Sequence, residues 1–318
     1  VNGRVHTEFR VVVTATGRLA SRRPNVQNIQ NAYNIEYKRA QEAAKYVKGM
    51  FTPPEGMVMV QVDYSQAELR LIAYYAQCKY MLDAYANGVD LHAQTAADML
   101  GITLDEFYEL DPKEQKKFRF RAKAVNFGFI YGMQAAKFQL YAKNEYGVDF
   151  TLQECQHIRK VFFDKRPELL RYHELYILKA KKYGYVRTLF GRRRQLPDIN
   201  AVGMRGSMEE RKAINTPIQG SAGEITILAF IELEKALEKW VKKDLVQMVN
   251  TVHDSIIYYV DKSVLDKVLP IIKLVPENLP MNHIFSRDLQ EQGKTPVSLK
   301  VDIEVSETRW SELKEIQI

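Results

Sequence analysis

Cysteine is scarce in this chain, with Cys78 and Cys155 the only two among 318 residues. Two cysteines cannot build a disulfide framework or a four-ligand zinc site, so a reducing, intracellular setting is the expectation. No run of about 18 uncharged apolar residues occurs, which argues against a membrane-spanning helix. The opening stretch VNGRVHTEFR has no apolar centre and does not read as a signal peptide. It also lacks an initiator Met, so a processed product or one piece of something longer is expected. Internal repeats and low-complexity tracts are missing as well.

What is present is enough apolar material for a core. At 46% hydrophobic residues, the length suits one large or two modest domains. The net charge is +7. Such an excess serves ordinary solubility, or it marks a polyanionic partner whose phosphates shed counterions to lysine and arginine. Clustering favours the second: KEQKKFRFRAK (113–123) and FGRRRQL (190–196) are dense in cations, with aromatics interleaved as base-stacking surfaces require.

Periodicity places a strand over GMVMVQVD (56–63), with Val58, Val60 and Val62 on one side and Asp63 at its end. Good helix formers predict a helix from Ser65 to about Tyr85. A long cationic helix follows over 113–143, and another over 151–183 is interrupted at Pro167. Gly, Arg and Pro over 184–206 read as loops and short strands. From about Ser207 a helix runs to a break near Pro217, and GSAGE (220–224) opens a second helix reaching Lys243. Strands at 246–252 and 255–260 flank His253–Asp254 as a hairpin, and VSLKVDIEV (297–305) alternates as a final strand. Strand-rich ends around a helix-rich cationic middle predict an α+β fold, with a sheet assembled from distant segments.

A lone Asp at a strand end is usually a turn residue. Asp63 and Asp254 together allow more: on adjacent strands they could bracket two divalent ions that activate an attacking oxygen and stabilise a leaving one. Hard oxygen donors point to Mg²⁺. In the cationic helix, Arg119, Lys123, Phe127 and Tyr131 follow at four-residue steps along one face. Phe118, Ala122, Val125 and Phe129 form a packing stripe on the other. A solvated edge explains Arg119 and Lys123 but not two large aromatics continuing it. A triphosphate gripped by Arg and Lys, with a base or sugar against the rings, explains all four. Gly128 and Gly132 are expected to let a base pair approach, at about 1 kcal/mol each in helix propensity.

DYSQAELR (63–70), RAKAVNFGFIYG (121–132) and VHDS (252–255) resemble, in order and spacing, motifs A, B and C of the family A DNA polymerases. TATGRLASRRPNVQNIQ (14–30), DLHAQTA (90–96), GYVRTLFGRRRQLPDI (184–199) and ERKAINTPIQGSAGEI (210–225) extend the likeness over nearly the whole chain. The resemblance implies a right-hand architecture: an antiparallel-sheet palm at 1–75 and 206–318, and mainly helical fingers at 76–205. A thumb and exonuclease domain have no counterpart here. It implies template-directed addition of deoxynucleotides to a primer 3′-hydroxyl, with two Mg²⁺ ions, or Mn²⁺ in substitution, held by Asp63, Asp254 and the Tyr64 carbonyl. Arg119, Lys123 and His92 would contact the incoming triphosphate, with Lys123 also donating a proton to pyrophosphate. Phe127 would pack on the sugar, and Gln66 joins the nucleotide-binding set. Glu68, with Tyr131 behind it, would exclude a 2′-hydroxyl, and Tyr131 would also occupy the template-base stacking position until the helix closes. Arg18, Arg211, Asn215, Gln219 and His253 would contact DNA at the primer terminus.

Two departures from the family pattern carry their own expectations. Motif C normally reads His-Asp-Glu, and here Ser255 takes the third place; activity is expected to survive with altered metal affinity, against the alternative of a weakened site. The missing thumb implies a partner besides primer–template DNA and dNTPs: an N-terminal thumb and exonuclease portion, in the same parent chain or as a separate polypeptide. A silent DNA-binding subunit and a single-subunit RNA polymerase relative are the rival readings, the latter opposed by Glu68. No membrane is expected to be involved, and the expected setting is the cytoplasm or nucleoid of a bacterium or phage-infected host, or an organelle.

Overall fold

The computed structural model describes residues 3–11, 13–29, 38–252, 254–279 and 293–318. In chain order, strands β1 (Glu8–Arg10) and β2 (Ala20–Arg22) pair antiparallel, and helix α1 (Lys38–Gly49) leads to β3 (Met57–Tyr64). Eight helices follow: α2 (Ala67–Ala76), α3 (Lys79–Ala86), α4 (Leu91–Leu100), α5 (Leu104–Glu109), α6 (Pro112–Ile130), α7 (Ala135–Tyr146), α8 (Leu152–Lys165) and α9 (Pro167–Tyr183). A small hairpin of β4 (Tyr185–Arg187) and β5 (Arg193–Gln195) precedes the long helix α10 (Met204–Val241). The chain closes with β6 (Val246–Val252), β7 (Ser255–Asp261), α11 (Leu265–Glu277), β8 (Val301–Ser306) and β9 (Lys314–Ile316). The architecture is α+β.

Two compact units form. One takes residues 1–67, 220–283 and 299–318, and the other takes 68–219 and 284–298, over their described parts. The units therefore divide at 67/68 and 219/220. The reason is packing: Tyr75 of α2 meets the rings of Tyr172 and Tyr176 on α9, and Ala213 in the first half of α10 joins Ala180, Val186, Leu196 and Ile199.

The sheet unit is a five-stranded antiparallel sheet in the order β6-β7-β3-β8-β9. Alternation puts Val58, Val60 and Val62 on one face, each 2% exposed or less. Tyr64 shares that face, and its hydroxyl donates to the Pro276 carbonyl of α11 at 3.1 Å. The opposite face carries Met59, which packs with Ile257 and Trp310. The final strand, expected over 297–305, starts later, at Val301.

The helical unit is built on small residues where helices meet. Ala93, Ala96 and Ala97 of α4 pack with Ala122 of α6 and with Phe107, because side chains this short let axes come close. The stripe expected on α6 is buried as read: Ala122, Val125 and Phe129 are fully inaccessible, and Phe118 lies against the α4 cluster.

Three helix boundaries differ from expectation. The stretch 65–85 is two helices, because Gln77 takes a positive φ of 50° and the chain turns before α3. The helix expected over 113–143 ends at Ile130, where Gly132 adopts φ 75° and its N–H donates back to the Phe129 carbonyl at 2.9 Å; glycine enters this left-handed region without steric cost. Conversely, the break expected at Pro217 is absent. Proline in a helix costs about 3 kcal/mol, but Ala213, Ile214, Ile218, Ala222, Ile225 and Ala229 form one unbroken buried stripe past it, and that burial outweighs the lost hydrogen bond.

Candidate functional site

In the sheet unit, Asp63 is held by β-pairing on both sides. Its cross-strand neighbours are Ser255 on β7 and Asp302 on β8. Asp254 sits at a turn between β6 and β7, next to Ser255. The Asp63 side chain opens to solvent, yet protein and acid crowd it closely. Its pKa is pushed up to about 7, first by desolvation, then by the negative charges of Asp254, Asp302 and Glu304. The Asp254 carboxylate accepts from Arg18 Nη2 at 3.2 Å. Arg18 reaches it from the segment that runs against α10 at Gly223, where a Cβ would lie 2.7 Å from Arg18 Cγ, so only glycine admits that approach.

Ser255 faces away from any such role. It is buried, its Oγ–H donates to the Val252 carbonyl at 2.9 Å, and its own carbonyl accepts from Thr251 Oγ1 at 2.9 Å. The hydroxyl ties the hairpin turn together. Gln66, between β3 and α2, has a φ of 55°, a left-handed conformation uncommon outside glycine and costly by about 1 kcal/mol. Neither the strain at Gln66 nor the third acid, Asp302, could be read from sequence, since alternation in one strand does not reveal its neighbour. His253 lies outside the described residues.

Among the described residues, no group of three or more His, Cys, Asp or Glu side chains is placed to hold a metal ion. Asp63 and Asp254, with the Tyr64 carbonyl, are a short set of hard oxygen donors. That set fits Mg²⁺, which binds through one or two carboxylates while keeping waters or taking phosphate oxygens. The negative charges of Asp254, Asp302 and Glu304 around Asp63 favour added positive charge here.

The helical unit brings its own set together. Asp111 caps α6 by accepting from the Lys113 N–H at 2.8 Å, and Pro112 stands at the first helical position. Along the next turns Arg119 and Lys123 are exposed, while Phe127 and, as the C-cap, Tyr131 are half-buried. His92 on α4 lies beside them, its ring centroid 6.1 Å from that of Phe127. Arg119 pairs with Asp90, the N-cap of α4, whose carboxylate also accepts from the His92 N–H at 2.9 Å. Burial pushes the His92 ring down to about 4, a shift that Asp90 opposes and Arg119 and Lys123 reinforce. The Tyr131 hydroxyl donates to the Glu68 carboxylate. Asp90 was not singled out from sequence, although Asp one residue before a helix is a recognisable cap.

The glycines need a correction. Gly128 is buried against α7, and a Cβ there would sit 2.6 Å from the Phe138 ring. It makes room for helix packing, not for a base pair. Gly132 supplies the turn that ends α6, steadied by His173, whose Nε2 lies 2.8 Å from the Ile130 carbonyl.

Arg211, Asn215 and Gln219 follow at four-residue steps on α10, all half-buried. Asn215 Oδ1 is a buried acceptor with no hydrogen-bond partner among the described residues. These three belong to the helical unit, whereas Arg18 belongs to the sheet unit.

The chain matches the model of the family described as DNA polymerase family A over residues 1–312. It is 36% identical to DNA polymerase I of Rhizobium leguminosarum over 310 residues, covering 97% of this chain and 28% of that protein. It is 34% identical to DNA polymerase I of Bacillus caldotenax over 318 residues, covering 98% of this chain and 32% of the relative. Thus the chain spans about a third of the length of the curated relatives it matches. Among solved structures it resembles the POL domain of Pol1 from M. smegmatis, a complex with DNA primer-template and dNTP, at a TM-score of 0.77 and 27% identity, covering 98% of this chain and 48% of that one.

Proposed function

This chain belongs to DNA polymerase family A, and from that membership we propose that it carries out template-directed addition of deoxynucleotides to a primer 3′-hydroxyl, with release of pyrophosphate. The observation that carries the reading is Asp63, paired across β3 and β7 with Ser255, the residue next to Asp254, and close enough to Asp254 for that negative charge to help raise its pKa.

Asp63, Asp254 and the Tyr64 carbonyl would hold Mg²⁺, with Mn²⁺ able to substitute. A metal bound there would supply positive charge to acidify an attacking hydroxyl and to offset charge on the leaving group. The chain's own residues do the rest. Arg119 and Lys123 present donors to the triphosphate, and charge-assisted bonds of this kind are about twice as strong as neutral ones. Asp90 keeps the Arg119 guanidinium in place between substrates. Lys123 is the proton donor for departing pyrophosphate, and Phe127 offers its ring to the sugar. Gln66 lies at the turn after Tyr64. Glu68, tied to the Tyr131 hydroxyl, blocks the position a 2′-hydroxyl would occupy. Arg18, Arg211, Asn215, Gln219 and His253 are the DNA contacts. Accumulated positive charge supplies sequence-independent affinity for the duplex. An N-terminal thumb and exonuclease portion, in the same parent chain or a separate one, completes the grip on DNA.

Ser255 motivates a second reading, a DNA-binding polymerase subunit with a weakened site. Its hydroxyl serves the hairpin and brings no carboxylate to the acids. Primer extension with Mg²⁺ separates the two. Wild type should extend a primed template with dNTPs and the Asp254→Ala protein should not. Extension that persists in Asp254→Ala removes the carboxylate assignment, and a wild type active only after Ser255→Glu establishes the weakened-site reading.

A further inference from the structure

Four polar side chains stand inside the apolar packing of α4, α6, α8 and α9. Thr95, Asn126 and Arg166 are 1% exposed or less, and His92 is 3% exposed. Polar groups are buried at a cost of several kcal/mol unless each finds a partner, so their connections carry information.

Arg166 lies at the junction of α8 and α9 and is fully buried. One amino nitrogen donates to Asp98 Oδ2 at 3.2 Å and to Thr95 Oγ1 at 2.9 Å. Its charge is balanced by Asp98, whose carboxylate also accepts from the Tyr80 hydroxyl at 2.7 Å. The guanidinium plane rests on the rings of Tyr80 and Phe162, 4.6 and 4.5 Å from their centroids.

A direction follows from chemistry. Arginine has donors and no acceptor. Thr95 Oγ1 accepts from Arg166 and gives its own hydrogen to Asn126 Oδ1 at 3.1 Å. With Oδ1 turned toward Thr95, the amide nitrogen of Asn126 faces His92 Nδ1 at 3.0 Å. An amide nitrogen only donates, so Nδ1 must accept and carry no proton. The ring's single proton is then on Nε2. Charges around the ring agree: Arg119 and Lys123 of α6 oppose a second proton, and only Asp90 of its own helix favours one.

We propose that Asn126, Thr95 and Arg166 are positioning residues that hold His92 as a neutral Nε2–H donor for the incoming triphosphate. The proposal rests on the polymerase reading for its ligand, but its geometry is independent of it. The relay ties the polarity of a phosphate contact to the orientation of the buried Asn126 amide, which is linked through Thr95 to a buried arginine. A histidine fixed in this way offers the same donor throughout neutral pH, where an unconstrained imidazole would exchange tautomers and gain charge.

The test is long-range proton–nitrogen NMR of the 318-residue chain labelled with nitrogen-15 histidine, which distinguishes Nε2–H from Nδ1–H; His92→Gln assigns the signal. Wild type should show neutral, Nε2–H His92 between pH 6 and 8. Asn126→Asp replaces the donor by an acceptor and should transfer the proton to Nδ1 and bring the ring's titration into that range. Thr95→Val should weaken the preference, and Thr95→Ser should restore it. Addition of dNTP with primer–template should move the Nε2 signal, and Asn126→Asp should raise the dNTP KM about tenfold with a smaller change in kcat, the loss expected for one hydrogen bond to a charged group. Nδ1–H in the wild type overturns the relay even if no variant folds, as does an unchanged tautomer in a folded Asn126→Asp protein. An Nε2 signal unmoved by dNTP overturns the triphosphate contact. Wild type that fails to extend primers while keeping the Nε2–H signal strikes the polymerase reading alone.

Discussion

Arg18 Nη2 stands 3.2 Å from Asp254 Oδ1, so a residue proposed to contact DNA is ion-paired to the hairpin carboxylate. An arginine in this place partly neutralises Asp254 and would compete with a metal ion for that carboxylate. Arg18→Ala should therefore lower the Mg²⁺ concentration needed to stabilise the protein, while costing the metal-free form about 1 kcal/mol or less, since both side chains remain partly exposed. Thermal melts in chelator and over an Mg²⁺ series measure both effects, and an unchanged Mg²⁺ requirement would show that the ion pair does not compete.

Asp63 makes metal-free stability depend on pH in a definite sense. Its folded pKa of about 7 lies above the ordinary carboxyl value of 3.8, so between those values the folded state keeps a proton that the unfolded chain has lost. Folding is thus penalised as pH rises through 7. His92 acts oppositely at lower pH, because its folded pKa of about 4 lies below its unfolded value. A difference between variants isolates the first effect. In chelator, Asp63→Asn should melt higher than wild type at pH 8.5, and the gap should shrink as pH falls below 7.

The Ser255 hydroxyl fastens a turn. Ser255→Ala should lose about 1 kcal/mol, the worth of one hydrogen bond with its acceptor left partly buried, and should leave the Mg²⁺ dependence of primer extension unchanged. A shifted Mg²⁺ optimum would mean that the hydroxyl reaches the metals.

Gly128→Ala tests propensity against packing. In an open helix the change gains up to about 1 kcal/mol. Here the new methyl would press on Phe138 at 2.6 Å, so destabilisation of about 1–3 kcal/mol is expected by chemical denaturation.

Glu68 and Tyr131 set sugar choice in the proposed function. Glu68→Ala should increase rNTP relative to dNTP incorporation by about tenfold or more, in keeping with 1–3 kcal/mol for a single discriminating contact. Single-nucleotide insertion kinetics give the ratio directly.

Much of this was legible in advance because short-range rules governed it. The valine alternation before Asp63, the paired strands on either side of Asp254 and the buried stripe of α6 all came out as read. Failures arose where distant contacts decided the outcome. Pro217 suggests a helix break, but a continuous buried stripe carries α10 past it. Gly128 suggests room for a ligand, and Phe138 from another helix fills that room. The candidate set was nearly all visible as motifs, whereas Asp302, Asp90 and the Arg166 relay act through partners far away in sequence. No local pattern announces them.

The double pairing of β3 has a consequence for how much length variation this region tolerates. Asp63 points outward because it is in phase with Met59 and out of phase with Val62 and Tyr64, and antiparallel neighbours on both sides lock that phase. Deleting or inserting one residue between Met57 and Asp63 would exchange the two faces of the strand. The carboxylate would turn into the packing beneath α11, and an apolar side chain would take its place outside. Chemistry at this position is thus encoded as a parity. It can survive many substitutions along the strand, but not a change of one in its count.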